Sequence, residues 1–384
     1  MTDRDGETGP AEAIVLVLQG GGALGAYQAG AYEALAAGGH QPAWLAGISI
    51  GAINAAIIAG NPPERRVANL RAFWEGITAW LTAEPWLPGH WARELFSEAG
   101  AAAVLTLGVP GFFTPRVPPP AFVPPGTAGA ISYYDTAPLA ETLATLVDFD
   151  YLNDAGPRLS VGAVDIETGN FAYFDSTKIR MTPEHIMASG ALPPGFPPVT
   201  ISGRHYWDGG LVSNTPLQFV LENDGDTALC VFQIDLFSAR GDLPGNLSEV
   251  AQREKDIRYS SRTRLTTDRF RQLHQIAAAA QRLSAKLPAG LAADPDALYL
   301  RSVGAGRPVT MVHLIHRRQA FENETKDYEF TRLSMTEHWA AGKAAVERTL
   351  GHRSWQSRRP SLDGIQIFDL GSNPDAPHRR KARS

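Results

Sequence analysis

The stretch from Trp44 to Gly51 reads WLAGISIG, and the rest of the chain can be interpreted outward from it. Its apolar beginning predicts a buried strand, and the small, apolar run Ile50–Ala59 that follows predicts a buried helix. Ser49 then lies on the sharp turn between strand and helix, in the frame Gly47-x-Ser49-x-Gly51, which is typical of a nucleophile elbow. Glycines at 47 and 51 let the two backbones pass closely. A serine in an ordinary glycine-rich turn is the alternative.

The preceding segment has the same order of elements. Ala13–Leu18 is a β-branched and aliphatic run, as expected for a central parallel strand. A glycine-rich loop from Gly20 to Gly25 follows it, and Ala26–Ala37 has helical spacing. The beginning of the chain therefore predicts a β-α-β-α unit, and we expect an α/β fold with a mainly parallel central sheet.

Composition bounds the class of protein. The chain has 384 residues, of which 44% are hydrophobic and 20% charged, so a large core is expected. A net charge of −5 gives no case for binding nucleic acid. The single cysteine, Cys230, lies in an apolar run and predicts an inert core thiol in a reducing compartment. Since the sequence shows no signal-peptide or transmembrane pattern, we expect a cytoplasmic protein.

Composition also changes along the chain and predicts its organisation. Residues 1–12 are polar and acidic and predict a disordered tail, whereas residues 13–240 hold the α/β pattern. Within that range, residues 81–130 form an insertion rich in proline and aromatic side chains, and the prolines are expected to break any regular element. Residues 241–351 predict a mostly helical extension, and residues 352–384 predict a basic, mobile tail.

Three glycine-centred segments fall at the ends of predicted strands, where an open α/β sheet forms its ligand crevice. They are the loop from Gly20, the elbow around Ser49, and Asp208-Gly209-Gly210. Asp208 is the candidate base, because a low dielectric beside Trp207 and the glycines would raise its pKa. An ordinary Asp-Gly turn is the alternative.

The glycine loop is the candidate oxyanion hole. Successive amides of Gly20, Gly21 and Gly22 carry no side chains and lie at a predicted helix N-terminus, where they form an anion nest. The amide of Ile50, which directly follows Ser49, is a further candidate donor. A tight turn with a purely structural role is the alternative.

These motifs, in this order, resemble the signatures of the patatin-like phospholipases. The motifs are Gly20–Gly25, Gly47–Gly51 and Asp208–Gly210. The resemblance implies a three-layer α/β/α fold with the mostly helical C-terminal extension of one bacterial branch. It also implies hydrolysis of lipid acyl esters, of the phospholipase A or esterase type, by a Ser49–Asp208 dyad without histidine. The supporting motif positions would be Gly25, Gly47, Gly51, Gly209 and Gly210.

The resemblance covers roughly residues 13–237, and other segments add to it. Ala188–Pro193 resembles the stretch that precedes the family's aspartate. Lys326–Phe330 and Ser334–Trp339 resemble the bacterial extension, for which the sequence indicates no role. One position departs from the family pattern. Leu24 stands where the family's glycine loop usually carries Arg or Lys, so that the amides alone would meet the anion.

Other classes of protein use parts of the same pattern. A Ser-His-Asp hydrolase would need a histidine near Ser49. The candidates are His274, His313, His316 and His338. The frame Gly20-x-Gly22-x-x-Gly25 also fits a nucleotide-binding loop, but no Asp or Glu lies between Glu33 and Glu64 to bind a ribose. A catalytically inactive module that binds a lipid or a partner is a third alternative.

Aromatic residues of the insertion could cover the crevice. They are Trp86, Trp91, Phe112, Phe113 and Phe122. The hypothesis is a lid that gives the acyl chain an apolar wall, and the alternative is an ordinary insertion packed on the core. The basic stretch from Arg253 to Arg271 adds the hypothesis of peripheral contact with an anionic membrane, with a solvated helix face as its alternative.

No metal and no cofactor are expected. Asp165, Glu167 and Asp175 are close in sequence, but a hairpin with solvated acids accounts for them. The expected partner is a lipid or another acyl ester. The sequence specifies neither which ester is cut nor the oligomeric state.

Overall fold

The computed structural model describes residues 12–83, 85, 89–223, 227–261, 263–291, 293–302, 307–317, 322–359 and 364–370. The tail predicted at residues 1–12, apart from Glu12, lies outside these ranges, and so do Trp86 and Arg262. No helix among the described residues is long and apolar enough to cross a membrane.

The beginning of the described chain forms the β-α-β-α unit that the sequence predicts. Its elements are β1 (Ala13–Leu18), α1 (Ala26–Ala37), β2 (Trp44–Gly47), α2 (Ile50–Ala59) and, after them, α3 (Pro63–Ile77). Both short strands are apolar and almost fully buried, as expected for strands covered on two faces. The elements that decide the fold are therefore encoded locally.

The remaining helices and strands follow in chain order. They are α4 (His90–Leu107), β3 (Thr114–Pro115), β4 (Tyr134–Asp135), α5 (Ala137–Leu146), α6 (Phe149–Asp154), β5 (Arg158–Asp165), β6 (Phe171–Asp175), α7 (Pro183–Ser189), β7 (Val199–Ile201), β8 (Arg204–Asp208), α8 (Leu217–Glu222), β9 (Leu229–Asp235), α9 (Leu247–Tyr259), α10 (Thr263–Ser284), α11 (Pro295–Ser302), β10 (Val309–Ile315), α12 (Arg332–Gly351), α13 (Arg353–Gln356) and β11 (Ile365–Phe368).

The central sheet is mainly parallel, as predicted. Its strands lie in the order β11-β10-β9-β1-β2-β5-β8-β7, and β6 pairs with β5. Neighbouring strands from β11 to β5 are parallel. Strands β6, β7 and β8 add an antiparallel end. β1 therefore lies in the interior of the sheet, and the glycine loop begins where it ends.

Helices cover both faces of the sheet, which confirms the three-layer architecture. Side chains alternate along β1. Leu16 and Leu18 face a core shared with α1, α2, α3 and α12, whereas Val15 and Val17 face a second core shared with α8. The strand that leads to the glycine loop is thus fixed from both sides.

The insertion at residues 81–130 differs from its prediction, because α4 is a regular helix inside it. The prolines of this region lie before residue 89 and after residue 109, and the stretch between them contains none. Helix α4 occupies this gap, and its residue Val104 is fully buried. The expectation that the prolines break every regular element was wrong, because it treated the proline content as uniform over the whole insertion.

The C-terminal part of the chain joins the same sheet. β10 pairs with β9, and β11 pairs with β10. Helix α12 packs on α1 so closely that a side chain at Gly30 would collide with the backbone of Trp339. Within the tail predicted to be mobile, α13 and β11 are regular elements, and Trp355 and Phe368 are buried. The described part of that tail is therefore structured, which corrects the prediction.

Candidate active site

Ser49 lies on the turn between β2 and α2, as predicted. Its backbone has φ 54° and ψ −125°, a left-handed conformation that residues with side chains rarely adopt. A side chain at Gly47 would collide with the backbone of Gly51, and one at Gly51 would collide with the carbonyl of Leu18. The spacing of the two glycines around Ser49 therefore has a steric cause.

Strand β5 brings Asp208 to this turn. β2 pairs with the first half of β5, with Gly47 opposite Val161, and β8 pairs with the second half, with Asp208 opposite Ala163. Because β6 pairs with residues of both halves, β2 and β8 share the other edge of β5. β2 runs parallel to β5 and β8 antiparallel, so the two strands meet end to end. Ser49 and Asp208 lie where they meet.

Asp208 is buried, with 2% of its surface exposed. The Ser49 side chain lies beside its carboxylate and favours the charged form, and the Gly210 amide donates to Oδ1 at 2.7 Å. Burial raises the pKa of Asp208 from its ordinary 3.8 to about 6, and these two neighbours limit the rise. A serine hydroxyl thus lies beside a carboxylate that holds protons more strongly than usual.

Two residues that sequence reasoning left without a role hold this pair in place. The Ser49 amide donates to the carbonyl and to the hydroxyl of Ser189, both at 3.1 Å. The Asp208 amide donates to the Ala191 carbonyl at 3.0 Å. Both belong to the segment Ala188–Pro193, whose resemblance to the family pattern was the available signal. That segment therefore positions both members of the pair.

The glycine loop leaves two of its amides unused. The Gly20 amide donates to the Asn214 carbonyl at 3.2 Å, and the Ala23 amide donates to the Asp327 carbonyl at 2.7 Å. Between them, the amides of Gly21 and Gly22 make no hydrogen bond within the described part of the chain. Ile50 is the first residue of α2, so its amide has no partner inside the helix. Gly20, a predicted donor, is engaged in holding the loop.

The other motif glycines allow close packing. A Cβ at Gly25 would lie 2.5 Å from Cγ1 of Ile50, and a Cβ at Gly209 would lie 2.6 Å from the Gly162 carbonyl oxygen. Leu24 is fully buried and contributes to the core. The loop itself therefore presents no cation.

A largely apolar cavity of about 290 Å³ opens above Ser49. Its lining comes from the motifs, from α4 and the segment after it, from the proline-rich connector at residues 192–196, and from the C-terminal part of the chain. Five aromatic rings form one wall: Phe113 lies 4.8 Å from Tyr134 and 5.1 Å from Phe196, and Phe112 lies 5.8 Å from Phe330. Of the insertion's aromatic side chains, Trp91 and Phe122 are instead exposed.

The histidines of the triad alternative are engaged elsewhere. None of the described histidines lines the cavity. His274 Nε2 accepts from the Gly364 amide, and His313 Nε2 lies beside the Met311 sulfur. His316 and His338 both contact the carboxylate of Glu322, at 3.0 and 2.9 Å, in a buried cluster. Among the ionisable side chains that line the cavity, Asp208 is the one beside Ser49 in the described part of the chain.

The cluster of His316, Glu322 and His338 has ligand atoms close enough to hold a metal ion. However, both Nδ1 atoms are buried without a partner among the described residues, whereas a histidine that binds a metal normally donates its second N–H. Hydrogen bonds from both Nε2 atoms to Glu322 account for the geometry. Asp165 and Asp175 are buried rather than solvated, which corrects the prediction, and they pair with Arg204 and Arg158.

Comparisons with known protein families give two matches. A family model described as Patatin-like phospholipase matches residues 16–221, more than half of the chain, and the chain belongs to this family. A second model, described as Patatin phospholipase, matches residues 257–362. The chain is therefore a hydrolase that acts on ester bonds of lipid substrates.

Among solved structures, the chain is similar to VipD from Legionella pneumophila. The two share 13% sequence identity, with a TM-score of 0.34 over 94% of this chain and 72% of that one. A comparison with curated protein sequences gives no match.

Proposed function

We propose that the protein is a serine acyl hydrolase of the phospholipase A or esterase type, with Ser49 as nucleophile and Asp208 as general base. The observation that carries the proposal is that Ser49, on its strained turn, lies beside the buried carboxylate of Asp208 at the floor of an apolar cavity. A nucleophilic hydroxyl needs a base within hydrogen-bond reach, and Asp208 meets this requirement.

The reaction follows from these contacts. Ser49 Oγ attacks the ester carbonyl carbon while Asp208 takes its proton, and the oxygen of the carbonyl becomes an oxyanion. The intermediate collapses, the alcohol leaves with the proton from Asp208, and Ser49 carries the acyl group. Water then attacks the acyl-enzyme while Asp208 accepts its proton. When this second intermediate collapses, Asp208 returns the proton to Ser49 Oγ and the fatty acid is released. The Asp208 carboxylate thus acts as the base both in acylation of Ser49 and in hydrolysis of the acyl-enzyme.

The unused amides of the glycine loop support the oxyanion. The amides of Gly21 and Gly22, with that of Ile50 at the start of α2, are available to donate, because no protein group competes for them in the described structure. Such donors act mainly in the transition state, since the negative charge forms only after attack. Burial of the site strengthens them.

The apolar lining of the cavity is suited to binding the acyl chain of a substrate. Its aromatic wall from Phe112, Phe113 and Phe196 offers apolar surface but few polar partners. We propose that residues 81–130 act as the lid over this cavity, in a catalytic domain of residues 13–240. Exposed apolar side chains on α4, Trp91, Leu95 and Leu105, would contact a lipid surface near the cavity.

The test is a chain-length series of p-nitrophenyl esters beside labelled phospholipids, measured on the wild type and on Ser49→Ala. We expect hydrolysis by the wild type and loss of about a thousandfold or more in the variant. Activity that survives in Ser49→Ala would contradict the assignment. Sedimentation with anionic and neutral liposomes tests the membrane contact, which is contradicted if no binding to either occurs at low salt.

A further inference from the structure

The C-terminal part of the chain touches the glycine loop directly. The segment of residues 322–331 connects β10 to α12, and we call it the clamp segment. The carbonyl of Asp327 accepts from the Ala23 amide at 2.7 Å, and it lies against Gly22 so closely that any Cβ there would collide with it. Gly22 also has a φ of 54°, so glycine is required there for two reasons.

Two crossed ion pairs fix the clamp segment to helix α9. Lys255 Nζ lies 2.5 Å from Asp327 Oδ1, and Lys326 Nζ lies 2.7 Å from Asp256 Oδ1. On α9 and on the clamp segment alike, a lysine directly precedes an aspartate. Because the two pairs are crossed, each lysine meets the aspartate of the other segment. Any shift by one residue would bring like charges together, so the pairing specifies one register.

Lys255 also contacts two further residues of the clamp segment. Its Nζ donates to the Glu324 carbonyl at 2.9 Å and lies 4.9 Å from the centre of the Tyr328 ring. Tyr328 and Asp327 line the cavity beside the glycine loop. The Lys255 ammonium therefore holds both the Asp327 carboxylate and the nearby backbone at Glu324. The Asp327 carbonyl in turn contacts the Ala23 amide.

We propose that Lys255 is a positioning residue for the reaction, acting through the Asp327 carbonyl on the oxyanion amides of Gly21 and Gly22. This inference rests on the proposed function of the glycine loop. The loop carries no cation of its own, and the Ala23 amide is fixed by a residue about 300 positions later in the chain. A small displacement of this contact would misdirect the two amides while leaving the cavity open to substrate.

The experiment measures kcat and KM for a p-nitrophenyl ester with Lys255→Met, which keeps the length of the side chain and removes its charge. We expect kcat to fall about tenfold or more and KM to stay within about twofold, because the oxyanion forms only after binding. Lys255→Arg should recover most of kcat. The matched control is Lys343→Met, which removes a pair with Glu33 at 2.9 Å between α12 and α1, away from the loop; it should leave kcat unchanged.

The outcomes separate this inference from the proposed function. If the wild type shows no hydrolysis that depends on Ser49, the proposed function fails and this inference fails with it. If the wild type is active and Lys255→Met keeps its kcat, or changes only KM, the positioning role alone is overturned. Equal losses in Lys255→Met and Lys343→Met would also overturn it. Should Lys255→Met fail to fold, Asp327→Asn, which weakens the same pair from the other side, is read by the same criteria.

Discussion

Among the described residues, two buried aspartates with a raised pKa, Asp208 and Asp235, each have a serine partner, and their difference shows what makes one pair a candidate catalytic site. Asp208 ends β8 and lies beside the Ser49 side chain, whereas Asp235 ends β9 and accepts from Ser261 at 2.7 Å. Both aspartates are 2% exposed, and burial raises the pKa of each to about 6. Burial and a serine partner are therefore common to both.

The surroundings of the two serines differ. Ser49 lies on a strained turn at the start of α2, beside the unused glycine amides and the apolar cavity. Ser261 lies between α9 and α10, and neither Ser261 nor Asp235 lines that cavity. Gln233 Nε2 donates to both carboxylate oxygens of Asp235, which occupies them structurally. A shifted carboxylate becomes a general base only where a substrate can reach its serine and an oxyanion can be met.

The sharpest contrast is between Asp208→Asn and Asp235→Asn. An amide cannot accept the proton of Ser49, so kcat of Asp208→Asn should fall by about a thousandfold. Asp235→Asn should keep kcat within about threefold, because its serine meets no substrate. Ester hydrolysis by the two purified variants, with circular dichroism to verify folding, measures this. Equal losses would remove the distinction between the pairs.

The pH dependence of the rate sharpens the comparison. Asp208 must be ionised to act as a base, and its pKa is raised to about 6, so kcat/KM should be half-maximal near pH 6 and fall about tenfold for each pH unit below it. Asp235→Asn should show the same profile as the wild type. If Asp235→Asn loses the fall in kcat/KM below pH 6, the group that titrates is Asp235 and not Asp208.

The aromatic wall gives a smaller effect, confined to the cavity of the Ser49 pair. Phe112→Ala combined with Phe113→Ala should lower kcat/KM for long-chain esters about tenfold and change short-chain esters little, since lost apolar contact matters only for chains that reach the wall. Phe122→Ala is the matched control, because this exposed phenylalanine of the same insertion does not line the cavity. Equal losses at every chain length would argue against acyl recognition by the wall.

Replacing Asp208 or Asp235 by Asn should change the free energy of unfolding by similar amounts. This is the smallest of the expected effects. Each aspartate has a folded pKa of about 6 and an ordinary value of 3.8, so the folded state holds more protons between these values. The free energy of unfolding therefore falls as pH rises from about 4 to about 6. Each Asn variant removes this burden and should be about 1–2 kcal/mol more stable than the wild type at pH 8, and no more stable at pH 4. Urea unfolding at both pH values tests this.

The sequence predicts the elbow and the glycine loop well because each is encoded in a contiguous stretch. Strand, turn and helix around Ser49 follow from apolar runs and from glycines that steric contact requires. The position of Asp208 depends instead on the pairing of β8 with the second half of β5, which no local pattern specifies. The sequence predicts that Asp208 lies at a strand end, but it does not predict that this strand runs antiparallel to β5.

Other features escaped prediction for related reasons. Helix α4 was hidden because prolines on both sides of it outweighed the proline-free stretch that it occupies. The role of Asp327 depends on a main-chain contact, to which side-chain identity contributes little, and that of Ser189 depends on its spatial approach to Ser49. The Ser261–Asp235 pair could not have been separated from Ser49–Asp208 on burial alone, since the cavity that distinguishes them is assembled from distant segments.

The measurement that tests the central claim most directly is covalent labelling with a fluorophosphonate, followed by mass spectrometry of the labelled peptide. The reagent forms a tetrahedral adduct on a serine that has both an activating base and an oxyanion site. We predict that the label is found on Ser49 and is lost in Ser49→Ala, while Ser261→Ala labels like the wild type. A label on Ser261, or one that persists in Ser49→Ala, would contradict the assignment of Ser49 and Asp208.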